Sequence, residues 1–430
     1  MPTLDPVVKR HRDLEQIALA ALDAARLLME SGARSRVARQ GATLVAQGLG
    51  AERVHVRIGY ASVGITVGTG INTITRMMGI GPHGVNLRLD HAVCLLCAEI
   101  GRGGMTPEQA AQALTAVGST PRHHRWLVAL AVGLACAAFG RLLGIDWAAF
   151  FPVFVAGSLA QGVRFALLRA GVNAFTTTAF VAFLAAVGGG LGSAAFDSQS
   201  IETAMFAAVL LLVPGVPLLN AQTDIMEGYP TLGSARAISA AMVLVFITVG
   251  LWSAQASTGL WSSLAPPMPV PQHFLAQMGL GALAAFGFGM LFNFGWLTLA
   301  WAASAGALAL GVRSLGLEAG WGLAASSFMA ALAVGVAVWL LTRSPVGLSR
   351  AGTVLGVAGC IPMIPGASAA HAIMGLFTLT SVGTPQAAEI GMTTLQYGLQ
   401  AMFTVGAIGA GLTLISSLLH SRDFPGQRGG

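Results

Sequence analysis

The chain has 430 residues, 55% of them hydrophobic and only 9% charged. A soluble domain spends about a quarter of its residues on charge, so this composition excludes an ordinary soluble protein and points to a polytopic membrane protein. The formal charge of +6 is uneven: residues 1–125 hold Lys9 and thirteen arginines against nine acids. Those arginines are scattered and lack an aromatic stacking pattern, so anionic lipid, and not nucleic acid, is the expected contact.

In chain order, Leu14, Ile17, Ala18, Ala21, Ala25 and Leu28 form a helical stripe, and a second amphipathic helix spans roughly 35–47. Val54, Val56 and Ile58 alternate with His55 and Arg57, Val63, Ile65 and Val67 repeat that period, and 72–76 continue it. Three short strands are predicted. A helix over about 89–101 follows, then one opened by Thr106-Pro107-Glu108-Gln109, with a cap, a proline and an acid in its first turn. These elements make a small α+β domain, 1–122, outside the bilayer. Cys94 and Cys97 form a CxxC inside an apolar helical run without a second pair, which reads as core packing. No metal cluster, cofactor motif or catalytic set is found, so an enzyme is not expected.

From Trp126 hydrophobic runs recur. Ten spans are predicted: about 126–144, 147–168, 172–194, 202–225 and 234–255, then 273–292, 294–312, 320–341, 350–376 and 390–418. The predicted fold is an α-helical polytopic membrane protein with ten spans in a 5+5 inverted repeat. Its modules are 123–256 and 273–420, joined by an extracytoplasmic linker, 257–272, and followed by a cytoplasmic tail, 421–430. Arg164, Arg169, Arg236, Arg343, Arg350, Arg422 and Arg428 fall on the side of the amino-terminal domain, against Arg141 and Arg313 on the other. The positive-inside rule then makes both termini cytoplasmic.

The fourth span of each half is interrupted. FAAVLLLVPGVPLLNAQTDIME (206–227) breaks at Pro214-Gly215 and again at Pro217, and presents Asn220, Thr223, Asp224 and Glu227. LGVAGCIPMIPGASAAHAIMGL (355–376) breaks at Pro362 and at Pro365-Gly366, and carries Ser368 and His371. Proline removes a donor and clashes with the preceding turn. Paired interrupted segments in the two halves are the sequence mark of a transporter site near the bilayer midplane. Two carboxylates three residues apart repel, which favours one of them holding a proton. Asp224 or His371 is the expected proton carrier, with Arg164, Asn173, Thr177 and Asn293 as candidate cavity lining. For Glu227 a solvated position at the helix end is the plainer reading.

The segments GARSRVARQGATLVAQGLG, through Gly32, Ala33, Arg36, Val37 and Gly50, and GVNLRLDHAV with MTPEQAAQAL resemble the threonine/serine exporter family. LVPGVPLLNAQTDIMEG resembles it most specifically, through Pro214, Gly215, Pro217, Asn220, Asp224 and Gly228. The second half resembles the family's smaller companion module through Gly359, Pro362, Pro365 and Gly366. The resemblance implies proton-coupled export of threonine and serine, small zwitterionic substrates, across a bacterial inner membrane. A dicarboxylate exporter or an uncoupled channel or scaffold are the alternatives. Two acids near the break, with only Arg164 in reach, weigh mildly against a dicarboxylate. The expected partners are protons, membrane lipid and a second copy joined through the α+β domain.

Overall fold

The computed structural model describes residues 11–260, 273–343, 356, 359–379, 384–418 and 424. The tail expected at 421–430, Phe424 excepted, and most of the linker expected at 257–272 lie outside these residues, as do Arg350, Arg422 and Arg428.

The amino-terminal region is the predicted α+β unit. Helices α1 (His11–Glu30), α2 (Ser35–Gly48), α3 (Leu87–Gly101) and α4 (Pro107–Gly118) accompany an antiparallel meander of β1 (Arg53–Ile58), β2 (Ser62–Thr69) and β3 (Asn72–Gly79). In the register Val54 faces Val67 and Val56 faces Ile65. The predicted stripe of α1 is buried throughout, against Val63, Ile65 and Val67 of the central strand. A capping box between Thr106 and Gln109 fixes the start of α4, with Pro107 in the first turn where its missing N–H costs nothing.

The membrane region begins with α5 (Arg125–Leu143), α6 (Trp147–Arg169) and α7 (Ala174–Ala195). The short α8 (Ile201–Ala207) and a 3-10 turn (Leu210–Leu212) then lead into α9 (Gly215–Met226), and α10 (Pro230–Thr258) closes the first half. The second half holds α11 (Phe274–Leu291), α12 (Trp296–Glu318), α13 (Leu323–Arg343), a 3-10 turn (Ile361–Met363), α14 (Gly366–Leu379) and α15 (Thr384–Leu418). Among the described residues eight helices are long and apolar enough to cross a membrane, or nine if Ile201–Leu212 and Gly215–Met226, which meet at 55°, form one bent span. Ten were expected; the predicted ninth, 350–376, falls partly outside the described residues. Exposed tryptophans mark the two ends of the bundle: Trp126 and Trp296 near the α+β domain, Trp147, Trp252 and Trp321 away from it.

Packing in one half recurs in the other. Helix α5 packs on α6, α6 on α7, α7 on α10 and α9 on α10; likewise α11 packs on α12, α12 on α13, α13 on α15 and α14 on α15. The halves meet where α5 packs on α11, and α10 touches α14 as α9 touches α15. At the α+β end, the start of α5 meets the finish of α11, where the His123 N–H donates to Asn293 Oδ1 at 3.0 Å. Phe424 is 1% exposed and packs into the α+β core beside Gly41, which returns the carboxy-terminal segment to that same end.

Candidate functional site: the paired breaks and the polar lock beneath them

The two breaks have the same local geometry. A residue before proline is driven toward extended backbone. Val213 adopts φ −61° and ψ 125°, and Ile364 φ −64° and ψ 126°. Each follows a 3-10 turn, and in each the N–H two residues on closes a tight turn over the proline: Gly215 to Val213 O and Gly366 to Ile364 O, both at 2.8 Å. The breaks also touch reciprocally. A Cβ on Gly215 would lie 2.6 Å from Ile364 Cδ1, and one on Gly366 would lie 3.1 Å from both Cγ atoms of Val213. Only glycine lets the two turns approach this closely. Pro217 does not make a second break. It sits in the first turn of α9, where its N–H has no intrahelical acceptor to lose. Ser368, in the first turn of α14, is partly buried.

Below the first break, α9 carries a polar lock onto the α+β domain. Asn220 Nδ2 donates to Gly32 O at 2.9 Å. Asp224 is fully buried, accepts the Ser35 N–H at 3.0 Å and pairs with Arg236 of α10 at 2.7 Å. The same guanidinium donates to Ala33 O at 2.9 Å. Glu227 pairs with Arg34 at 2.9 Å and lies 3.7 Å from Arg36. The carboxylates expected to repel thus each have an arginine of their own. Glu227 is largely buried instead of solvated, and Thr223 is spent within α9, donating to Leu219 O at 2.8 Å.

The remaining predicted residues separate. Asn293, with φ 57°, makes a second lock: its Nδ2 donates to Asn86 Oδ1 at 2.9 Å and to Pro121 O at 3.3 Å. Asn173 is exposed and caps α7 by accepting the Phe175 N–H at 2.9 Å. Thr177 is 1% exposed, and its hydroxyl has no hydrogen-bond partner among the described residues. His371 is buried; its Nδ1 lies 2.9 Å from Ala367 O, and its ring sits between Phe206 and Tyr397, each centroid 5.1 Å away. Arg164, on α6, is partly buried.

Sequence reasoning missed Arg236 and Arg34 as the partners of the two acids. Asp224 and Arg236 are twelve residues apart across a Gly-Tyr-Pro turn, so only the pairing of α9 with α10 brings them together. It also passed over a recurrence between the halves: GSLAQGVR at 157–164 returns as GALALGVR at 306–313, which puts Arg313 in register with Arg164.

Paired helix breaks inside a helical membrane bundle are the feature expected of a transporter. The comparisons give the family. A model described as putative threonine/serine exporter matches residues 20–257, and one described as Threonine/Serine exporter, ThrE, matches residues 277–418. The chain belongs to the threonine/serine exporter family, with both modules in one polypeptide, and is a transporter, not an enzyme. Among curated relatives, the probable succinate transporter subunit YjjP of Klebsiella aerogenes is 28% identical over 236 residues, covering 54% of this chain and 90% of that protein. The probable succinate transporter subunit YjjP of Escherichia coli (strain K12) is 38% identical over 143 residues, covering 32% of this chain and 55% of that one. No solved structure matches. Among the described residues no group of three or more His, Cys, Asp or Glu is placed to hold a metal.

Proposed function

We propose that this chain exports small dicarboxylates of the succinate class from the cytoplasm, through two five-span halves related by an inverted repeat. The observation that carries the transport architecture is the reciprocal contact of the breaks, Gly215 on Ile364 and Gly366 on Val213. A residue and its counterpart exchange roles in that contact, as a local two-fold axis requires. The substrate class rests on the two relatives named as probable succinate transporter subunits. The electrostatic objection to an anion is weak. Asp224 and Glu227 bring two negative charges, Arg236 and Arg34 bring two positive ones, and the lock is neutral before Arg36 is counted.

Export against a gradient needs a coupled ion, and we assign proton handling to His371, on the helix that opens at the second break. In this reading both termini lie in the cytoplasm and the bundle in a bacterial inner membrane, as the arginine distribution supports. A second reading, export of threonine and serine, is favoured by the descriptions of both matching family modules.

The test is flux of labelled succinate and of labelled threonine from preloaded proteoliposomes, with and without a pH gradient. Gradient-stimulated succinate flux, reduced at least about tenfold in His371→Gln, is expected. Threonine flux alone would move the substrate to the second reading. Flux of neither, from protein that is folded and monodisperse, would leave an uncoupled scaffold.

A further inference from the structure

Arg164 and Arg313 occupy one position in the two halves. Each lies seventeen residues after the tryptophan that opens its helix, Trp147 or Trp296, and closes an eight-residue stretch with six identities, GSLAQGVR and GALALGVR. The glycine that opens each stretch marks a close helix crossing. A Cβ on Gly157 would lie 3.2 Å from Gly133 Cα, and one on Gly306 would lie 2.6 Å from Gly281 O. Helix α6 ends toward the α+β domain while α12 starts there. The arginines therefore sit near opposite ends of the bundle, each about one and a half turns inside its helix.

Neither guanidinium meets a carboxylate among the described residues. Arg313 Nη1 donates to Met363 O, the last residue of the turn before the second break, at 3.4 Å. That is long for a charge-assisted bond, which prefers about 2.7–2.9 Å, and a carbonyl supplies no counter-charge. On α6, one turn before Arg164, the buried Gln161 lines a cavity of about one water with Leu211 and Leu212, in the turn before the first break. The same face of each helix thus addresses the turn that precedes each break. Snorkelling to a phosphate-rich surface accounts for a cation near the cytoplasmic end. It does not account for Arg313, which lies at the end where the positive-inside rule disfavours arginine and which turns to the break. A cation held inside a span without a counter-charge is costly, and a transported anion supplies that charge.

We propose that Arg164 and Arg313 are the two carboxylate-binding residues of the transport path: Arg164 receives the substrate's carboxylate from the cytoplasmic face, and Arg313 holds it at the opposite face, exchanging its bond to Met363 for the substrate. This deepens the exporter reading and rests on it, but needs only a carboxylate, which succinate and threonine share.

The experiment measures KM and kcat for substrate entry from each face, using everted and right-side-out membrane vesicles. Arg164→Gln is expected to raise KM from the cytoplasmic face about tenfold or more and leave the other face within about twofold; Arg313→Gln does the reverse. Arg164→Lys and Arg313→Lys keep the charge and lose the fork, so they shift KM with the same sidedness by a smaller factor. They carry the test if a glutamine variant fails to fold. Equal effects on both faces, or kcat falling at unchanged KM, would overturn the inference while wild-type flux stands. A wild type that moves neither substrate would overturn the exporter reading and the inference with it.

Discussion

The segment that ends at Met226 and the one that ends at Leu379 begin alike, with a 3-10 turn, an extended residue, Pro-Gly and a helix. Counted from the shared proline, Asn220 corresponds to His371, Asp224 to Gly375 and Glu227 to Thr378. At the last two of these positions the first helix is charged where the second is small or neutral. Asp224 and Glu227 bolt α9 to the α+β domain through Arg236, Ser35 and Arg34. Gly375 instead lets α14 press onto α15 at Thr394, where a Cβ would overlap the threonine hydroxyl. Two equal backbones are therefore held by unequal means. An ion pair breaks at a cost of several kcal/mol, whereas apolar helix faces slide in small steps.

The largest effect expected from this contrast is at Asp224. Asp224→Ala strands the Arg236 guanidinium in a buried site and should cost about 3–5 kcal/mol, read as a fall in the thermal midpoint in detergent. Its counterpart Thr378→Val leaves no buried charge unpaired; it removes the hydroxyl's bond to Met374 O within α14 and should stay within about 1 kcal/mol. Equal losses at the two positions would break the comparison. Asp224→Asn that loses coupled flux at an unchanged midpoint would return Asp224 to the role of proton carrier.

Next in size is the contact between the breaks. Gly215→Ala and Gly366→Ala each overpack it, at about 1–3 kcal/mol. Ile364→Val should relieve the first and Val213→Ala the second, each pair giving a coupling of at least about 0.5 kcal/mol in a double-mutant cycle. A two-fold relation requires both rescues. One without the other would mean that the similar turns meet by accident of packing.

Much of this scaffold was legible in the sequence because it rests on local rules. The α1 stripe, the alternating strands, the Thr106 cap and the Pro-Gly breaks each follow from a periodicity or from one residue's backbone chemistry. Pro217 misled because proline breaks a helix only past its first turn, and the start of α9 is fixed by Gly215, two residues earlier. The site was less legible. Asp224 and Glu227 stand out in the sequence as acids close to a helix break, but a carboxylate's role depends on what faces it, and Arg34 is 193 residues from Glu227 in the chain. Asn293 looked like cavity lining and instead ties Asn86 and Pro121 to the bundle, a contact that exists only once the α+β domain has docked.

Glu227→Gln should act more weakly than Asp224→Ala, because the Arg34 pair is partly open to water and a neutral acceptor remains. A loss of about 1.5–3 kcal/mol is expected from that charge-assisted bond, confined to the domain interface. Limited proteolysis of the connector 119–124 should accelerate while the midpoint of the helical bundle holds. Unchanged cleavage would mean that the Asn220, Asp224 and Arg236 contacts carry the lock without Glu227.

The smallest effect tests whether the α+β domain brings chemistry to the first segment or only position. Cys94 and Cys97 have the spacing of a redox pair, yet both are buried in the domain core. Burial pushes the Cys97 thiol up to about 12, with the neighbouring Asp90 charge adding to it. A redox thiol needs the opposite shift. With a folded value near 12, about one molecule in ten thousand carries the thiolate at pH 8, so iodoacetamide should leave Cys97 unmodified until the chain is unfolded. The sign for stability follows. The shift favours the neutral thiol, so its contribution is complete below the unfolded value of about 8.5 and declines as pH rises from there toward about 12. Labelling of Cys97 in the folded protein at pH 8 would show a reachable thiolate and give the domain a chemical part. Silence there leaves it the part its contacts describe, a fixed platform to which one of the two broken segments is anchored.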